Sequence, residues 1–92
     1  MIVRIITEGQ YEVPDNIYDE LNKLDNRAVE AVEAGDAELF YDTWNEMLAL
    51  VRDRGSQLEA EDLRESSLIL PPPDLTLAEA EHEFTGDGIL PD

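Results

Sequence analysis

Apolar and polar positions alternate at the start of the chain. In MIVRIITEGQYEV, Val3, Ile5, Tyr11 and Val13 are candidates for one buried face, and Gly9 interrupts the run. The period of two and the β-branched content predict a β-hairpin over residues 2–13. Glu8-Gly9 is not the dipeptide a two-residue turn prefers, so a bulged or longer turn is expected. The period then changes. Ile17, Leu21, Leu24, Ala28 and Val32 form one helical stripe, with Asp15 as N-cap and Gly35 as stop. Phe40, Trp44, Met47, Leu48 and Val51 form a second stripe, capped by Asp36 and closed by Arg52, Arg54 and Gly55. Helices over residues 15–34 and 37–54, joined so tightly, make an antiparallel helical hairpin. Trp44 is expected to be buried between them.

The pattern weakens over the connector, residues 55–66, where Leu58 and Leu63 are isolated anchors. LILPPPDLTL then runs from Leu68 to Leu77. Each residue before a proline is pushed away from the helical region, which makes residues 67–75 extended. Three prolines cannot donate backbone hydrogen bonds, so this segment belongs at a sheet edge or on the surface, not in a sheet centre. There it would deliver Leu68 and Leu70 to the core and aim the next element. Thr76 and Glu79 have capping-box spacing, and a short helix over residues 77–84 follows. GDGILPD, with Ile89 and Leu90 as a small apolar anchor, ends the sequence. The expected fold is α+β: one small domain over residues 1–92, with an N-terminal β-hairpin, an antiparallel helical hairpin, a C-terminal extended segment and a short helix.

Charge changes the picture more than size does. Twenty-three acids face six bases, for a formal net charge of −17. Seven acids fall in residues 1–31, nine in 32–62 and seven in 63–92. A polyanionic tail would concentrate them, whereas even spreading with a single lysine, Lys23, fits adaptation of the whole surface to a salty cytoplasm. At ~1 M salt the Debye length is about 3 Å, so the self-repulsion is largely screened. No basic stripe exists to neutralise phosphates, which argues against nucleic acid as a partner. A nucleic-acid mimic, its carboxylates gathered on one face, is the alternative use of such acidity. The longest apolar run, Met47 to Val51, is far short of the ~20 residues of a membrane span. The opening lacks a signal peptide's apolar core and cleavage site, so a cytoplasmic protein without membrane insertion is expected.

Candidate chemistry is sparse. There is no cysteine, hence no disulfide framework and no thiolate metal site. Glu79 and His82 share a helix face three residues apart, a spacing used in di-iron bundles, but those need a second such motif and His82 is the only histidine. The lone GDG lacks the acid ladder of a calcium loop, and no glycine-rich phosphate loop is present. A general acid–base pair needs a low-dielectric pocket, and no pair of acids is marked out as buried. A small carboxylate-based hydrolase is therefore the weakest of the readings. No catalytic, metal-binding or cofactor-binding residue is assigned, and no cofactor is expected.

Three stretches together resemble a known family. They are Met1 to Val13, the helical hairpin with its Glu33-Ala-Gly-Asp36 bend closing at Arg54-Gly55, and Leu68 to Ala80 followed by the GILPD ending. In this order they resemble the phage-shock-protein-A-associated domain, PspAA, which is encoded beside PspA-like proteins in archaea and actinobacteria. With the acidity, the resemblance implies a halophilic archaeal source. PspA-like proteins are long helical relatives of the ESCRT-III membrane-remodelling proteins, and they assemble on stressed membranes. The resemblance thus implies a non-enzymatic adaptor or regulator in envelope stress, reaching the membrane only peripherally through its partner. In a salty cytoplasm steering is weak and apolar contact should dominate the interface. The candidate docking strip is Ile69, Pro71, Pro72, Pro73 and Leu75, pre-stiffened and so cheap to order on binding.

Overall fold

A computed structural model describes residues 1–59 and 64–84. The end of the chain, with the expected Ile89–Leu90 anchor, and the expected anchor Leu63 lie outside the described residues. Four strands and three α-helices follow in the order β1 (Ile2–Ile5), β2 (Gly9–Glu12), α1 (Tyr18–Ala34), α2 (Ala37–Arg54), β3 (Ser56–Gln57), β4 (Leu68–Leu70) and α3 (Leu77–Glu83). The architecture is α+β, with the N-terminal hairpin, the helical hairpin and the short C-terminal helix that the pattern predicts.

The hairpin closes through three residues, Ile6 to Glu8, between the paired Ile5 and Gly9. Glu8 N–H donates to the Ile5 carbonyl at 3.0 Å. Thr7 carries a φ of 73°, in the left-handed region that β-branched residues avoid. The longer turn expected from Glu8-Gly9 is thus present, and it contains local strain.

Residues 15–17 form a 3-10 turn, entered from the extended Pro14, before α1 begins. Gly35 ends α1 in the left-handed conformation, at φ 69°. Its N–H and that of Asp36 return to the carbonyls of the last turn, the Asp36 bond to Ala31 measuring 2.9 Å. The Asp36 side chain immediately caps α2 by accepting from Leu39 N–H at 3.1 Å. Two residues therefore both stop one helix and start the next. The buried stripe of α1 is wider than its predicted period: Val29, Ala31 and the acidic Asp25 are buried as well, while Leu24 is half-buried.

The sheet order is β3-β2-β1-β4. β1 pairs antiparallel with β2 and parallel with β4, Val3 facing Leu68 and Ile5 facing Leu70. Parallel neighbours need a crossover, and the helical hairpin is part of it. Val3, Ile5, Tyr11, Val13, Leu68 and Leu70 form the inner face of the sheet and join Ile17, Leu21, Phe40, Trp44, Met47 and Val51 in one core. Phe84, beyond α3, sets its ring edge-on to Phe40 and Trp44, with centroids 5.5 and 5.9 Å apart. Trp44 is 1% exposed, so the aromatic stripe is core.

The connector is less irregular than its sequence. Ser56 and Gln57 add a fourth strand, β3, beside β2. Gly55 makes that junction fit, because a Cβ there would lie 2.5 Å from the Val51 carbonyl oxygen and 2.7 Å from Val13 Cγ1. Further along, the connector lies against Gln10, whose amide donates to the Arg64 carbonyl at 3.4 Å and to Ser66 Oγ at 3.2 Å.

Candidate functional site

The proline segment begins as an edge strand. Leu70 C=O accepts from Ile6 N–H at 3.1 Å, so it points toward β1. Backbone groups alternate along a strand. The N–H and C=O of Ile69 therefore point to the open side of β4, and the missing donor of Pro71 falls on that same side. The ladder loses nothing to the first proline. Pro72 C=O then accepts from Leu75 N–H at 3.1 Å, closing a turn. Pro73 occupies the second position of that turn, which favours the fixed φ of proline. Thr76 follows as N-cap of α3, with both arms of the capping box formed. Leu77 N–H is held by Tyr41 Oη at 3.0 Å, so the start of α3 is fixed to α2.

This geometry divides the five candidate docking residues. Ile69 is 55% exposed, the most exposed of the large apolar residues in the described chain. Pro72 and Pro73 are half-buried. Pro71 and Leu75, also named in the candidate docking strip, are buried. The alternation ends with β4, so Pro71 is not turned outward with Ile69. The turn after it folds Leu75 back into the core. What the segment presents to solvent is Ile69 and parts of Pro72 and Pro73.

Neighbouring Ile69 across the ladder is Arg4. Ile6, two residues beyond Arg4 at the start of the hairpin turn, is 38% exposed. Arg27, Arg52, Arg54 and Arg64 are all ion-paired, with Glu46, Glu8, Glu20 and Glu12 respectively. Among the described residues Arg4 has neither an ion pair nor a side-chain hydrogen bond. On its Gln10 side it borders a recess of about 270 Å³, also lined by Glu8, Gln57, Leu58 and Glu59.

Glu8 is occupied. Its carboxylate accepts from both Nε and a terminal nitrogen of Arg52, the Nε bond being 2.8 Å, and from Tyr11 Oη at 2.7 Å. The Arg52 hydrogen bonds draw the Glu8 pKa down to about 2 from its ordinary value near 4.5, against a smaller opposing effect of burial. The same carboxylate pushes the Tyr11 phenol and the Arg52 guanidinium upward. This lock joins the hairpin turn to the last turn of α2. Its members are too far apart in sequence for residue spacing to reveal it.

Among the described residues no constellation for catalysis emerges. Glu79 is spent on the Thr76 cap, and His82 beside it is exposed. Among the described residues no three histidine or carboxylate side chains are grouped to hold a metal. No described helix is long and apolar enough to cross a membrane. The fold and surface therefore define a small α+β domain whose distinctive outward feature is a stiff sheet edge with a mixed apolar and cationic flank. The chain belongs to the PspA-associated protein family, PspAA, whose model matches residues 1–92. That family is described by an association, not by a reaction. No curated protein and no solved structure matches the chain.

Proposed function

We propose that the domain is a non-enzymatic adaptor or regulator that binds a PspA-like protein during membrane stress and reaches the membrane only through it. The single observation carrying this reading is the family match over residues 1–92, since the family is named for association with PspA. The sheet edge supports it: Ile69 stands out from a strand held by β1, with Pro72 and Pro73 stiffened beside it. A contact surface that is ordered beforehand loses less entropy on binding. The setting is a cytoplasm of high salt, for which the evenly spread charge of −17 is suited.

The test is titration of the chain with a purified PspA-like protein in molar KCl. Ile69→Asp and the double change of Pro72 and Pro73 to serine are each expected to weaken binding at least tenfold, roughly what losing a central apolar contact gives. Circular dichroism should show both variants folded. Unchanged binding would leave the prolines as scaffold and move the interface to the outer face of the helical hairpin.

A further inference from the structure

We infer that Arg4, set between Ile6 and Ile69, reads a carboxylate on the partner, so that the docked segment carries an Asp or Glu flanked by apolar side chains. This rests on the reading of the sheet edge as a docking surface and adds the chemistry of what docks. Arg4 faces Ile69 across the parallel ladder and Gln10 across the antiparallel one. Ile6 lies along the same edge because its N–H continues the bonding to Leu70. Two exposed isoleucines are thus register neighbours of Arg4, one across the ladder and one two residues on. An arginine over apolar surface is a recurrent centre of binding energy, because neighbouring apolar groups exclude water from its charge when a partner closes over it.

The charge balance of the molecule sharpens the point. With acids so abundant, the other four arginines each have one as a partner. Arg4 has none among the described residues, although two carboxylates share its recess. Glu8 is committed to Arg52 and Tyr11. Glu59 lines the recess without pairing to Arg4. A surface shaped only for solubility in salt has little use for a cation that has no carboxylate partner among the described residues and two exposed isoleucines as register neighbours. A surface that receives a carboxylate needs that arrangement, and bidentate geometry makes arginine the better residue for it.

The same edge limits the form of the ligand. A β-strand added to β4 would find a single donor, the Ile69 N–H, since the prolines that follow can accept but not donate. Side-chain contact must carry the binding, which suits the exposed face of an amphipathic helix. A second copy of this chain is a poor occupant, because it would bring another charge of −17 against the first. An anionic membrane is disfavoured for the same reason.

The experiment titrates a purified PspA-like protein with wild-type chain, Arg4→Glu, Arg4→Gln and Arg4→Lys, after circular dichroism has matched their folds. Arg4→Glu should weaken binding about 30-fold or more and Arg4→Gln about tenfold, while Arg4→Lys retains part of the affinity. Acid-to-arginine changes along the PspA-like protein should include one that restores binding to Arg4→Glu and not to Ile69→Asp. Wild-type binding that Arg4→Glu leaves unchanged overturns the carboxylate reading and spares the adaptor reading. Absence of wild-type binding overturns both. Light scattering that shows a homodimer dissolved by Arg4→Glu, or sedimentation with phosphatidylglycerol vesicles abolished by it, assigns the patch to another occupant and overturns the proposal.

Discussion

Thr7 is the residue with the most to gain from replacement. A β-branched side chain at φ 73° costs roughly 1–2 kcal/mol relative to a residue that enters this region freely. Thr7→Gly recovers that strain and gives part of it back through the freer unfolded chain. Denaturant unfolding should show a net gain of about 0.5–1 kcal/mol. Gly55 is the reverse case. Its backbone is ordinary, and the constraint is space against Val51 and Val13. Gly55→Ala should cost about 1–3 kcal/mol, the usual range for overpacking, and no loss would show that β3 can swing outward freely. The Glu8–Arg52 pair makes a prediction about pH. Glu8 has a lower pKa folded than unfolded, so its stabilisation is complete above the unfolded value near 4.5 and fades as pH falls toward about 2. Arg52 is 40% exposed, so solvent limits the pair to roughly 0.5–1 kcal/mol. Glu8→Gln should lose that amount at pH 7 and progressively less as the pH falls from about 4.5 through about 2; an equal loss across that range would mean packing, not charge, holds the turn.

Helices were the most legible elements, because their signals are local. The stripe from Phe40 to Val51 fixed the buried face of α2, and Gly35-Asp36 marked where one helix stops and the next starts. The capping box at Thr76 and Glu79 was readable for the same reason, and Thr76→Ala should cost about 1 kcal/mol. The edge position of the proline segment followed from its missing donors. Pairing between distant elements was not legible. Nothing in Ser56-Gln57 announces a strand, since two polar residues become β3 only because Gly55 turns the chain beside β2. The same limit hid the burial of Pro71 and Leu75, which depends on a turn that closes after β4 ends. Arg4 could be seen as one of six bases, but not as the arginine without a carboxylate partner among the described residues. The aromatic cluster gives the element-scale test. Trp44→Ala should cost roughly 3–5 kcal/mol, enough to unfold much of the population of a small domain. Trp44 Nε1 is buried without a hydrogen-bond partner among the described residues, so Trp44→Phe should be tolerated much better. Equal losses in thermal unfolding would place the value of Trp44 in its indole nitrogen.

At the scale of the whole molecule, charge and partner binding become one problem. A net −17 on 92 residues repels itself strongly at ~10 mM salt, where the Debye length is about 30 Å, and weakly at ~1 M. Circular dichroism should show folding in molar KCl and partial or full unfolding at low salt; a melting temperature independent of salt would remove the argument for a halophilic setting. High salt would also remove long-range steering, so on the proposed adaptor reading short-range contact at the Ile69 edge and its Arg4 flank provides the affinity. The most direct measurement is calorimetric titration of the folded chain with a purified PspA-like protein in molar KCl, wild type beside Ile69→Asp. Binding by the wild type, weakened at least tenfold in the variant while its circular dichroism is unchanged, is the predicted result. Equal affinity of the two would contradict the docking edge, and no wild-type binding would contradict the adaptor itself.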